Sequence, residues 1–134
     1  MTSEFPRPRL VSAPEVLHDS DGWVLWHSGV TDGPHGLQTV VEVIDTSGRD
    51  RVTGPAWNVG ERDRWPIEVT ATEGATDPVT PKAFSEESTP RSYRLFVSFG
   101  RYGKRLGPRP DTDEPVLLTF TVPPLDVRVE RALT

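Results

Sequence analysis

The sequence contains no cysteine, and this absence excludes several kinds of site. There can be no disulfide framework, no thiolate nucleophile and no zinc site with sulfur ligands. The chain also lacks a run of about 18 apolar residues, so we expect no transmembrane helix. The first ten residues contain charges and prolines but no apolar segment, which argues against a secretory signal. We therefore expect a cytoplasmic protein.

Helical periodicity is also missing, because no stretch of ten residues repeats its apolar positions every 3.6 residues. Apolar and polar residues instead alternate, as in strands that bury one face. The segments that we expect to form strands are 23–27, 38–45, 67–72, 93–99, 116–122 and 125–130, with weaker candidates near 10–11, 16–17 and 51–53. Residues 73–90 are expected to form a long loop that contains at most one helical turn, at 81–87.

These strands predict an all-β fold. With 14 prolines and 11 glycines spread between the apolar segments, turns would separate about seven short strands. We expect one domain over residues 1–134, an antiparallel β-sandwich with residues 1–9 as an extended N-terminal arm; a small β-barrel is the alternative. Pro66 indicates an edge strand at 67–72. An exposed edge strand can pair with a second copy, so a homo-oligomer is possible, although Pro66 and Glu68 act against it.

Acidic residues are absent between Glu87 and Asp111, and this gap holds six basic residues in a chain of net charge −5. If strands 91–99 and 116–122 pair, residues 100–115 connect them at one end of a sheet. That connection carries guanidinium and ammonium groups among glycines, which suit a partner that presents anionic groups. The partner-binding residues that we predict here are Arg101, Tyr102, Lys104, Arg105 and Arg109. The alternative is a loop paired with acidic residues of its own chain.

Nucleic acid is an unfavourable partner for this chain. Duplex binding needs a broad basic surface, and the protein as a whole is acidic. We expect that the partner is another protein and that the chain does not bind a membrane.

Four tryptophans form a second group of candidates. Trp57 and Trp65 flank a charged stretch, and an exposed indole is typical of protein contacts or of sugar binding. The alternative is that each residue anchors a loop on the core. Trp23 and Trp26 lie three positions apart on one strand, so they must point to opposite faces of the sheet.

His18, His27 and His35 are the remaining candidates for chemistry. His27 and His35 flank residues 28–34 and could face each other across them, which would allow a metal-dependent enzyme. Their spacing matches no established ligand motif, so we expect surface or turn histidines, no metal and no cofactor. Nucleophile and phosphate-binding motifs are missing as well.

These exclusions favour a non-catalytic protein over an enzyme. The leading hypothesis is a protein-binding module with an inhibitor, immunity, adaptor or assembly role that uses the basic loop 100–109. The alternatives are a carbohydrate- or small-ligand-binding sandwich with an exposed tryptophan, and the metal-dependent enzyme described above.

Overall fold

The computed structural model describes residues 9–33, 36–57, 65–74, 77–81, 83–99 and 116–133. Within these segments the chain forms strands and two short 3-10 turns, at Pro55–Trp57 and Pro123–Leu125. In chain order the strands are β1 (Arg9–Ser12), β2 (Glu15–Ser20), β3 (Trp23–Gly33), β4 (Gly36–Asp45), β5 (Glu68–Glu73), β6 (Ala83–Thr89), β7 (Ser92–Ser98), β8 (Val116–Val122) and β9 (Val127–Leu133).

The strands belong to two antiparallel sheets that pack as a sandwich. The large sheet has the order β1–β3–β4–β7–β6, and β2 pairs with β3 beside β1. The small sheet has the order β5–β8–β9. Neither sheet closes on itself, so the predicted β-sandwich is confirmed and the barrel alternative is excluded. As predicted, β5 is an edge strand.

Alternating residues from both sheets build the core between them. The large sheet contributes Leu25, Val41 and Leu95, and the small sheet contributes Leu118 and Phe120; each is at most 3% exposed. Every second side chain of a strand points to the same face. The buried apolar positions of each strand therefore define the inner face of its sheet. Each such side chain stabilises the fold by about 1.5–3 kcal/mol relative to an exposed one.

Strand β3 is longer than the predicted segment 23–27. It begins after Asp21 and Gly22, which both have positive φ (57° and 79°) and close the β2–β3 hairpin in two residues. It continues past a bulge, where the register shifts between His27 and Val30 and Gly29 has φ 109°. A Cβ at Gly29 would lie 3.3 Å from the Ser12 carbonyl oxygen, so glycine permits the bulge.

The connection that leaves β4 is fixed at one end of the sandwich. The buried Asp45 carboxylate accepts hydrogen bonds from Arg51 Nη2 at 2.8 Å and from Ser47 Oγ at 2.6 Å. These bonds hold the pKa of Asp45 far below its usual range, since the bond from Arg51 outweighs the opposing effect of burial. Arg51 also lies 4.3 Å above the ring of Trp23. Residues 51–53, predicted as a weak strand, therefore belong to a loop that Arg51 links to Asp45.

Two predictions about the second half of the chain are wrong. Residues 83–89 form strand β6 rather than part of a long loop with a helical turn at 81–87. Strands β7 and β8 do not pair: β7 lies between β4 and β6, and β8 lies between β5 and β9. Residues 99–115 therefore lead from one sheet to the other instead of closing a hairpin.

The predicted N-terminal arm falls largely on residues 1–8, which lie outside the described residues. Arg9, its last predicted residue, already belongs to β1 and pairs with Asp32 of β3. Among the described residues, no helix has the length and apolarity to cross a membrane.

Candidate binding surfaces

The predicted contact residues of the basic loop, Arg101, Tyr102, Lys104, Arg105 and Arg109, lie outside the described residues. Their role stays a prediction. Two cations of the same basic segment are described, and both contact carboxylates of their own chain. Arg91 Nε donates to Asp50 Oδ1 at 2.6 Å, and Arg94 Nε lies 3.6 Å from Glu42 Oε2.

Trp57 lies in the core, where it is 8% exposed. Its ring stacks on Trp23 with centroids 5.6 Å apart and is tilted against Tyr93 at 6.3 Å. Its backbone N–H donates to the Gly54 carbonyl at 3.1 Å, which closes the 3-10 turn. A side chain enclosed in this way offers no surface to a partner. Trp57 therefore fits the alternative of a loop anchor.

Trp65 is half-buried and packs against the core at the open side of the sandwich. Together with Thr70, Thr80 and Pro81 it lies at a crevice of about 430 Å³ between β5 and β7. The deeper walls of the crevice, Ile67, Val69, Leu95 and Val97, are at most 3% exposed. A small ligand could therefore reach only the rim in this conformation. Carbohydrate or small-ligand binding through Trp65 stays a prediction.

The prediction that His27 is a surface or turn histidine is wrong. Its side chain points into the core and is 1% exposed. Its ring stacks parallel to Phe120 at 5.8 Å, and Nδ1 accepts a hydrogen bond from the Gly29 N–H at 3.0 Å. Nε2 lies 3.7 Å from Glu15, whose other oxygen accepts from Arg131 Nε at 2.7 Å. Burial lowers the pKa of His27, and the Glu15 carboxylate opposes that shift.

The metal-dependent alternative has no support in the described geometry. Residues 28–33 continue strand β3, so they are not a loop between two facing histidines, and His35 lies outside the described residues. Within the described segments, no group of three or more histidine, aspartate or glutamate side chains could hold a metal ion.

The outer face of the large sheet carries an apolar surface that the prediction of binding residues missed. Its side chains point away from the small sheet, because their neighbours along each strand are the inner core residues. We call this surface the outer patch; its members are Val16, Val24, Trp26, Val40, Ile44 and Phe96. Val16 is 56% exposed, the other five are partly exposed, and Leu10, 60% exposed, lies beyond one corner.

An ion pair lies at the centre of the outer patch. Glu42 of β4 and Arg94 of β7 are direct cross-strand partners, and Glu42 also accepts a hydrogen bond from Trp26 Nε1 at 2.9 Å. The Glu42 side chain is 13% exposed and that of Arg94 is 50% exposed. Glu87 of β6 is the cross-strand partner of Arg94 on its other side, so the row that crosses the outer face carries one cation between two carboxylates.

The sequence did contain a signal for the outer patch. Residues 40–44 read Val-Val-Glu-Val-Ile, so apolar residues occupy both faces of β4. Strands with two apolar faces are typical of sheets covered on both sides. The prediction that Trp23 and Trp26 point to opposite faces is confirmed, with Trp23 against the core and Trp26 in the outer patch.

Comparison with protein-family models, curated proteins and solved structures produced no match to this chain. The function must therefore be inferred from the surfaces themselves.

Proposed function

We propose that the protein is a non-catalytic, protein-binding module that contacts its partner through the outer patch. The observation that carries this proposal is the exposure of apolar side chains on one sheet face, with Val16 and Leu10 more than half exposed. Contiguous apolar surface on a folded protein is typical of protein contacts, whereas scattered apolar residues are not.

The composition of the patch suits a protein partner. Trp26 and Phe96 supply aromatic area, and Arg94 supplies a charged group with five hydrogen-bond donors; these three residue types are enriched in protein interfaces. The Trp26 indole is already fixed by its bond to Glu42. A side chain that is ordered before binding loses little conformational entropy when the partner arrives, which favours affinity.

The basic loop retains its place as a second contact in this proposal. Its residues Arg101, Lys104 and Arg105 lie outside the described segments, so the loop is supported only by the absence of acidic residues from 88 to 110. The cytoplasm remains the location that we propose, on the sequence alone. An inhibitor, adaptor or assembly role would each be compatible with a sheet face as the contact surface.

The test compares capture by four immobilised baits in extracts of the native host, with enriched proteins quantified by mass spectrometry. Val16→Asp places a charge at an exposed position of the patch, where it should not disturb the core. We expect the wild-type chain to enrich a defined set of proteins and Val16→Asp to lose at least about 90% of it, because burying an unpaired carboxylate opposes binding.

The matched control is Leu117→Asp, which places the same charge on the outer face of the small sheet. This bait should capture the same proteins as the wild type. A Val16→Asp bait that retained the full set would refute the outer patch as the contact surface. Loss of capture only on replacing Arg101, Lys104 and Arg105 by alanine would assign binding to the basic loop instead.

A further inference from the structure

Strand β6 is the edge of the large sheet that lies farthest from β1 and β2, and none of the described strands pairs with its open side. Its seven residues pair with β7 in one unbroken register, and residues 85–89 are exposed. The opposite edge differs, because β1 and β2 share one position there and each contains a register shift. A regular, exposed edge is the kind of strand to which a further strand can be added.

The backbone of β6 presents hydrogen-bonding groups to its open side. A two-residue turn connects β6 to β7, so the flanking residues Thr89 and Ser92 form a hydrogen-bonded pair. Bonded positions alternate along an antiparallel pair of strands. The backbone N–H and C=O groups of Phe84, Glu86 and Ser88 therefore point away from β7. An added strand could bond to the backbone at all three positions.

The side chains beside this edge are acidic on both faces of the sheet. On the outer face, Glu42 of β4, Arg94 of β7 and Glu87 of β6 lie in one row across the strands, so the charge alternates in sign from strand to strand. The next position in this row therefore favours a cation. On the inner face, the Glu86 carboxylate accepts a hydrogen bond from the Tyr93 hydroxyl. This carboxylate favours a second cation at the position beside it.

We propose that β6 binds an extended segment of another protein that carries two adjacent basic residues, and that this segment joins the large sheet as an antiparallel strand. Adjacent residues of a strand point to opposite faces, so one cation would lie beside Glu87 and the other beside Glu86. Each contact would be a cross-strand pair of opposite charges. The inference does not depend on binding through the outer patch, because the exposed Val16 of that patch lies at the other edge of the sheet.

The other open edges suit this segment less well, and β6 does not suit a second copy of itself. In the antiparallel register that overlaps all seven residues of two β6 strands, Glu86 lies opposite its own copy, and like charges in that position are destabilising. Strand β9 is the regular edge of the small sheet, but it carries two arginines, Arg128 and Arg131, and only one carboxylate. The edge of β5 is bridged by two backbone hydrogen bonds to Val79. Charge therefore directs a basic segment to β6.

The experiment titrates the isotopically labelled full chain with the peptide Thr-Val-Thr-Lys-Lys-Thr-Val-Thr and follows the backbone amides by NMR. We expect a dissociation constant between about 10 µM and about 1 mM, since the contact is one strand wide. Saturating peptide should slow hydrogen exchange of the Glu86 and Ser88 amides at least about tenfold, because these N–H groups gain an acceptor. The Glu87 amide, which already bonds to β7, should change less.

Two sets of controls separate strand addition from simple charge attraction. Glu86→Gln and Glu87→Gln should each raise the dissociation constant about two- to fivefold, because each removes one pair of opposite charges. Glu130→Gln on β9 and Val16→Asp in the outer patch should leave it unchanged. The same peptide, N-methylated at every residue, keeps both charges but has no N–H to donate, and it should bind at least about tenfold more weakly.

The inference would be overturned by equal binding of the N-methylated peptide, or by slowed exchange confined to amides outside β6. Failure of the wild type to bind the peptide at about 1 mM would also overturn it. Protection of the Glu86 amide that increases with protein concentration, without peptide, would assign the edge to a second copy instead. The peptide controls use the unaltered protein, so they decide the question even if a substitution impairs folding.

Discussion

The two sheets have similar inner faces but very different outer faces. On the small sheet, the outward positions of β5 and β8 are occupied mainly by threonine, with Leu117 as the apolar exception, and β9 adds Arg128 and Glu130. On the large sheet, the outward positions hold the six apolar side chains of the outer patch. An antiparallel sheet in a two-layer sandwich needs one apolar face. The small sheet meets this requirement, and the large sheet exceeds it.

The apolar side chains on the outer face of the large sheet are informative because the core does not depend on them. Inward residues of β4 such as Val41 and Val43 are fully buried, whereas their neighbours Val40 and Ile44 remain partly exposed. Exposed valine and isoleucine gain nothing from the packing of the two sheets. Their presence on one face, and the threonines on the other, are therefore better explained by a contact outside the sandwich than by the fold.

The largest effect should come from the inner face of the small sheet. Phe120→Ala would remove a fully buried ring that packs on His27, and we expect the free energy of unfolding to fall by about 3–5 kcal/mol. Leu117→Ala, on the outer face of the same strand, should cost less than about 1 kcal/mol. Urea unfolding of both variants measures the difference. Equal losses would contradict the assignment of inner and outer faces.

Alternation in the sequence predicted the sandwich because strands with one apolar face carry a strong signal. Strand β8 has the bounds that were predicted, 116–122. Strand β6 was missed because its residues 85–88 read Ser-Glu-Glu-Ser, with no apolar side chain. Such a strand forms because β7 provides a complete ladder of hydrogen-bonding partners. Pairing with a neighbouring strand cannot be predicted from local pattern and propensity.

The candidate site was harder to predict than the fold. The predicted binding residues are basic or aromatic, and residue type alone does not show exposure. Trp57, for example, is enclosed in the core. The outer patch combines residues from four strands, β2, β3, β4 and β7, so its continuity depends on strand order. The sequence showed which side chains share a face of each strand, but it could not show which strands are neighbours.

His27 should make the contact between the two inner faces sensitive to pH. Its pKa in the folded protein is lowered, while the unfolded chain binds a proton near pH 6.5. The free energy of unfolding should therefore hold steady above about pH 6.5 and fall below it, by at most about 1.4 kcal/mol per pH unit. His27→Gln, whose side chain does not titrate, should be less stable at neutral pH but should flatten this dependence.

Urea unfolding of the wild type and His27→Gln at several pH values between about 5 and 8 provides the measurement. Protonation would also remove the acceptor that Nδ1 offers to the Gly29 N–H, so the two effects act in the same direction. Parallel pH profiles for the two proteins would show that another group controls the decline.

The smallest effects should come from two ion pairs at the surface of the sandwich. Arg131 of β9 and Glu15 of β2 link the two sheets at 2.7 Å, but their side chains are 40% and 38% exposed. Solvent screens such a pair, so a double-mutant cycle with Glu15→Gln and Arg131→Gln should give a coupling of less than about 1 kcal/mol, reduced further by salt. The Arg128–Glu130 pair on the outer face of the small sheet, at 3.8 Å, should give still less. A coupling above about 2 kcal/mol for the first pair would mean that the sheets are held together at this edge by charge as well as by their apolar inner faces.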